Sequence, residues 1–280
     1  MSEPISVQDF CRHVLEEGGL DAKLAAPRRA NGDALRDDPD APALEIDAPA
    51  RSLGLRMRGG APRLPHPNQL GSPEARAVCL ARFAHHELMA VELFAWALLR
   101  WPLLPGELRA GWLHALEEEQ IHCRLYLDRL AALGDRLEDH VQSDYFWKQA
   151  PAIAASPHGA RAFLAAMGLT LEQANLDFSL IYRDGFRIAG DEQSARVCQR
   201  IHDDEIRHVR LASDWLMRLS PDHGSDQVAA YDEAVPFPLA ANRAKGRRFD
   251  TEARRRAGLS DAFIEHVRVA RSSQEKAGAR

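Results

Sequence analysis

Apolar residues through the middle of this chain recur every three or four positions rather than every two, a pattern that predicts helices and no sheet. The first sustained stripe runs Leu80, Ala84, Val91, Phe94, Leu98. Ser72-Pro73-Glu74 opens it with an N-cap, a proline in the first helical position and an early acid, and Trp101-Pro102 stops it. A second helix is expected from Pro105-Gly106 through Trp112, Leu116, Tyr126 and Leu130 to Gly134, a natural residue just past a helix end. A third runs from about Gly159 to Ile188, closing at Gly190. The fourth, capped by Asp191 or Ser194, ends at Ser220-Pro221. Outside these, residues 5–18 predict a short helix and 25–69 an irregular lead-in. Residues 135–157 read as a mixed crossover and 224–247 as loop, and Asp250-Thr251 caps a pair of short C-terminal helices.

Four long helices joined short, long, short give an all-α fold, a four-helix bundle with one long crossover. That connectivity is the ferritin-like one. The expected organisation is an N-terminal extension over 1–71, the bundle over 72–222, and a C-terminal loop with short helices over 223–280.

Ionisable residues interrupt the stripes that should face the core. Helix four reads Cys198, Ile201, Glu205, His208, Ala212, Trp215, Leu219, with Glu205 and His208 inside an apolar seam. Helix two places Glu119 and His122 between Leu116 and Tyr126. Helix one has Glu87 between Ala84 and Val91, and helix three has Glu172 between Gly168 and Leu176, beside the polar Gln173 and Asn175. With 19 glutamates and 12 histidines, chance alone supplies about one Glu-x-x-His, so the count of two says little. Position and repetition say more. Glu87 precedes Glu119 much as Glu172 precedes Glu205, and Glu87-Leu-Met-Ala-Val-Glu92 is echoed by Glu172-Gln-Ala-Asn-Leu-Asp177.

A buried unpaired carboxylate costs several kcal/mol, so such groups are paired, protonated or bound to metal. A lone Glu from each of two helices plus Glu-x-x-His from the other two is the ligand set of a di-iron or di-manganese carboxylate site. Four carboxylates offset two divalent cations, and the i, i+3 spacing aims Glu and His at one metal. Glu87, Glu119, His122, Glu172, Glu205 and His208 are therefore the expected ligands, with Glu119 and Glu205 bridging. The expected metal is a pair of iron ions, with manganese or a mixed manganese–iron pair as the alternative. Asp204, beside Glu205, is the candidate acceptor for the outer N–H of the ligating His122. Tyr126, one turn after His122, is at the spacing of a radical tyrosine, although a plain core tyrosine is the stronger reading. His85, His86 and His202 are not needed as ligands.

Composition narrows the rest. The 280 residues are 45% hydrophobic and 28% charged, an ordinary globular balance that excludes wholesale disorder. A net charge of −5 argues against a dedicated nucleic-acid binder. The basic run Arg243 to Arg256 reads as a solvated helix face, with contact to an anionic substrate as the sharper alternative. Cys11, Cys79, Cys123 and Cys198 form no CxxC pair, which disfavours a disulfide framework or thiolate zinc site; Cys123 and Cys198 read as small buried hydrophobes. The N-terminus has no basic stretch followed by an apolar run, and Ala90 to Leu99 is too short to span a bilayer, so a cytoplasmic protein without membrane contact is expected.

His86-Glu87-Leu-Met-Ala-Val-Glu-Leu, Glu118-Glu119-Gln-Ile-His122 with the later Leu-Gly134, and Asp204-Glu205-Ile-Arg-His208-Val together resemble the ferritin-like family filed as domain of unknown function 455. Gly246-Arg-Arg-Phe-Asp-Thr-Glu-Ala-Arg254-Arg-Arg-Ala-Gly258-Leu resembles that family's C-terminal signature, and Asp139-His140 and Trp147 add to the likeness, which covers nearly the whole chain. The resemblance implies a ferritin-like bundle with a dinuclear metal site at the residues above, and no settled substrate. The chain departs from the family pattern around 168–176, where Glu172 is kept but its neighbours differ.

The expected function is a dioxygen-activating oxidase or hydroxylase acting on a small organic substrate, served by an unidentified electron donor. Fold alone does not warrant that chemistry. The alternatives are a ferroxidase or iron-handling protein, and a tRNA-modifying hydroxylase supported only by the basic 243–256 segment. The long extensions look more like site covers than cage contacts, and a homodimer is the candidate assembly.

Overall fold

The computed structural model describes residues 6–29, 31–59 and 63–271. Every regular element among them is helical; extended pairing is limited to the isolated bridges Ser6–Arg36, Arg28–Ala34 and Met57–Gln142. No helix among the described residues is long and apolar enough to cross a membrane. The chain divides into two compact units, Met1–Pro151 with Gly185–Val197, and Ala152–Asp184 with Cys198–Arg280.

The first unit is organised on an antiparallel helical hairpin. Ahead of it lie α1 (Val7–Glu16) and the single turn α2 (Leu20–Lys23), followed by the hairpin helices α3 (Pro73–Arg100) and α4 (Gly106–Ala132). The Ser72 hydroxyl accepts the Ala75 N–H and Pro73 occupies the first turn of α3, as the sequence predicts. α4 ends where Gly134 adopts a φ of +78°, a left-handed conformation that suits glycine. Along the hairpin Phe83 packs on Tyr126 with ring centroids 5.3 Å apart, and the Cys123 thiol donates to the Ala84 carbonyl at 3.2 Å. α1 lays its buried Phe10, Val14 and Leu15 against α3. The irregular lead-in is tied down by charge. Arg109 grips Asp37 with two hydrogen bonds of 2.8 and 2.6 Å and also donates to the carbonyls of Leu98 and Trp101.

The second unit begins within α5 (Ala150–Ala155) and continues through α6 (Ala160–Phe163), a π-helical segment Leu164–Glu172, and α7 (Gln173–Ile188). α8 (Glu192–Arg218) returns antiparallel to α7, after a turn whose residues belong to the first unit. Asp191 caps α8 by accepting the Ser194 N–H at 3.0 Å. Within this unit α7 and the π segment face α8 in a fixed register, with Arg183 beside Gln199, Leu176 beside His202, Asn175 beside Glu205, Glu172 beside His208 and Gly168 beside Ala212.

The third helix spans 160–188, close to the expected 159–188, with a π-helical stretch inside it. Gly168 brings the backbone so close to α8 that an added Cβ would lie 2.2 Å from the Ala212 Cβ. Thr170 satisfies the Ala165 carbonyl, five residues back, with its own hydroxyl at 2.7 Å. All nine π-helical residues are buried, so no polar face marks the wider turn in the sequence.

The C-terminal part also differs from expectation in detail. The 224–247 stretch, read as loop, holds a helix, α9 (Gln227–Ala234), capped by Asp226 accepting the Ala229 N–H. Tyr231 on α9 is buried and hydrogen-bonds Thr170 at 2.7 Å. The expected pair of short helices follows as α10 (Thr251–Arg256), capped by Asp250, and α11 (Asp261–Val269), capped by Ser260. The basic run is a solvated face at Arg243, Arg247, Arg248, Arg255 and Arg256, but Arg254 has no exposure at all. The physical reason is Asp177 on α7, whose carboxylate takes both ends of the Arg254 guanidinium at 2.8 and 2.9 Å.

Candidate metal centre

In the first unit Glu87 comes from the middle of α3, and Glu119 and His122 come from one turn of α4. All three are buried, at 6%, 1% and 0% exposure. One ligand atom from each lies within 4.8 Å of the others. His122 turns its Nδ1 toward Glu119, 3.5 Å from Oε2, which leaves Nε2 as the outer ring nitrogen. The Phe83–Tyr126 and Ala84–Cys123 contacts hold the two helices together beside the triad. Burial pushes the Cys123 thiol up, so it stays protonated and offers no thiolate beside the carboxylates.

The second unit repeats the arrangement. Glu172 ends the π segment, and Glu205 and His208 share one turn of α8; these too are buried and each places a ligand atom within 4.8 Å of the others. His208 Nδ1 is 3.2 Å from Glu205 Oε2 and 4.0 Å from Glu172 Oε2. Asn175 Nδ2 donates to Glu205 Oε1 at 2.7 Å, while Glu205 Oε2 receives no hydrogen bond. A buried carboxylate oxygen without a donor, facing an imidazole nitrogen, fits a position completed by a cation.

Each triad could hold a metal ion. Two carboxylates carry the charge that one divalent cation offsets, and oxygen with imidazole nitrogen is a donor set for a divalent ion that is not soft.

The remaining candidates fall as follows. Asp204 is buried whereas its neighbour Asp203 is exposed, the difference in direction expected for adjacent helical residues. Its carboxylate accepts from Arg200 Nε at 2.5 Å and from Arg207 at 2.6 Å, both on its own helix. Tyr126 is buried against Phe83, in keeping with a core tyrosine. His85 donates from Nε2 to the Ser143 carbonyl at 2.6 Å, and His86 stacks on Phe146. His202 is buried between the Leu176 carbonyl, 3.1 Å from Nδ1, and Asp250, 3.6 Å from Nε2.

In the sequence Asn175 is a polar break in its stripe, and its position three residues after Glu172 is the signal that it shares that face. Glu92 and Asp177 were noted only as an echo. Both are wholly buried acids held by the chain's terminal parts. Glu92 meets Lys23 at 2.7 Å, Arg51 at 2.6 Å and the Trp147 indole N–H at 2.8 Å, and Asp177 meets Arg254.

A family model described as protein of unknown function (DUF455) matches residues 14–265. No curated protein and no solved structure matches the chain. The chain belongs to the DUF455 family.

Proposed function

We propose that this DUF455 protein is a dinuclear metal carboxylate protein of the ferritin-like kind, acting as an oxidase or hydroxylase on a small organic substrate. The observation that carries the reading is the duplicated triad, Glu87/Glu119/His122 and Glu172/Glu205/His208, each buried and each built from a lone Glu on one long helix and a Glu-x-x-His on the next. In this reading α3, α4, the 160–188 helix and α8 would form the four-helix bundle, and the six residues would together hold the metal pair, with Glu119 and Glu205 as the proposed bridges. Iron is the proposed metal, with manganese as its nearest substitute.

The chain's own part is to present carboxylates and imidazoles together in a buried setting. The i, i+3 spacing on α4 and α8 delivers a carboxylate and an imidazole from one helical turn, and Asn175 orients Glu205 by occupying Oε1. Buried apolar residues flank the proposed ligands along their helices, among them Leu88, Val91, Leu116, Ile201 and Val209, and would help to exclude bulk water. Asp204, held by Arg200 and Arg207, is proposed to accept from the outer nitrogen of His122. Bound iron would supply the electrons for reduction of dioxygen coupled to oxidation of the substrate, and an external donor would restore them. Arg254 is buried and Lys245 is spent on the carbonyls of Arg268 and Ala270, so the alternative of a tRNA substrate rests on the exposed Arg243, Arg247, Arg248, Arg255 and Arg256 alone.

The test is anaerobic loading with ferrous iron, metal counting, then exposure to air with optical and Mössbauer spectroscopy. Two irons per chain with spectra of a coupled pair are expected. A stoichiometry that stays at or below one would overturn the reading.

A further inference from the structure

We infer that Gln173 and Arg254 are positioning residues for Glu172, holding the turn that carries it in π-helical rather than α-helical register. The inference rests on the reading of Glu172 as a metal ligand. In an α-helix the Gln173 backbone N–H would bond to the Leu169 carbonyl, four residues back. Here that N–H is shared between the Gly168 carbonyl, five residues back, and the Thr170 carbonyl, three back, which leaves the Leu169 carbonyl to another donor. That donor is Gln173's own side chain. With its amide nitrogen facing Leu169 O at 2.7 Å, its amide oxygen accepts from Arg254 Nε at 3.1 Å.

Arg254 is what fixes the amide in that sense. Its planar guanidinium is fully engaged, with Nε on Gln173, one terminal nitrogen on Asp177 and the Asp250 carbonyl, and the other on Asp177 and the Ala244 carbonyl. Asp177 in turn accepts the backbone N–H groups of Gly246 and Asp250, at 2.8 and 2.7 Å, which seats the C-terminal segment on α7. Phe249 covers the guanidinium at 3.8 Å. The Gln173 amide therefore presents its nitrogen to Leu169 because Arg254 occupies its oxygen. Without that lock the α register is open, and a slip of one residue turns Glu172 by about 100° around the helix axis, away from His208.

The experiment uses the full chain and cobalt(II) as a spectroscopic probe, with stoichiometry from equilibrium dialysis, visible absorption for coordination, and circular dichroism for the fold. Gln173→Met removes the lock at nearly constant volume and leaves the Asp177–Arg254 pair in place. Arg254→Lys keeps the charge and loses the fork, and serves as the second variant should the first not fold. Arg248→Ala, at an exposed surface pair with Asp184, is the control. The wild-type chain is expected to bind two cobalt ions, and the lock variants to stay helical while one ion weakens by ~10–100-fold and the absorption of that site changes. Two ions with unchanged affinity and spectrum in a helical Gln173→Met chain would overturn the inference, as would loss of helix in both lock variants. Failure of the wild-type chain to bind two ions would instead overturn the dinuclear reading beneath it.

Discussion

His208 Nδ1 faces Glu205 Oε2 at 3.2 Å on one turn of α8, while the other oxygen of Glu205 is taken by Asn175. The pair is thus aimed by its own helix and trimmed to a single open oxygen by the neighbouring one. Glu119 and His122 stand in the same relation on α4, at 3.5 Å.

Replacing Glu119 or Glu205 by Ala is expected to abolish dinuclear binding and leave a helical protein. The lost carboxylate is the proposed bridge, whereas the apolar seams supply most of the stability of the helices. Metal counting alongside circular dichroism checks this; full metal content in both variants would refute the assignment.

Asp204→Ala should lower metal affinity by ~10–100-fold with the fold intact, if the carboxylate orients a ligating histidine. Asp203 is exposed one position away, and Asp203→Ala is the internal comparison. Normal loading in both would reduce Asp204 to an anchor for Arg200 and Arg207.

Gly168→Ala should destabilise the chain by about 1–3 kcal/mol, because the new methyl lands on Ala212. Ala212→Gly in the same chain should recover part of that loss, although a glycine inside α8 itself costs up to about 1 kcal/mol. Urea unfolding of the four proteins gives the coupling. Strict additivity would mean that the close approach of these two residues does not limit the packing.

Stability should fall on acidification in a way that depends on His202. Burial holds its pKa below the ordinary 6.5, outweighing the pull of Asp250 in the other direction. The unfolded chain then binds the extra proton first, so this contribution is complete above pH ~6.5 and is lost as pH drops through ~6.5 toward the native value. His202→Asn should flatten that part of the melting temperature profile between about pH 8 and 5. A profile as steep as the parent's would contradict it.

The helix ends were readable because each has a local chemical cause: Ser72, Asp191, Asp250 and Gly134 sit where the structure uses them. The triads were readable because i, i+3 spacing survives any arrangement of the helices around it. The π turn was not, since Leu164–Glu172 is buried throughout and a change from four to five residues leaves no trace in an all-apolar run. Arg254 was misread for a related reason. A basic run looks solvated until the acid it meets, Asp177, 77 residues earlier, is known.

Glu92 and Asp177 also bear on where this protein can be cut. Each long helix carrying a lone proposed ligand glutamate hides a second acid that, among the described residues, is neutralised from a distant part of the chain, Glu92 by Lys23 and Arg51, Asp177 by Arg254. A trimmed version running from Ser72 to Ser220 would keep every proposed ligand and still strand two carboxylates in an apolar interior. Breaking a buried pair from one side commonly costs about 3–5 kcal/mol, comparable to much of the net stability of a domain. On that cost, a shortened chain that keeps both pairs, from at least Lys23 to Arg254, is expected to be the more stable one, whatever the extent of the helices that carry the proposed ligands.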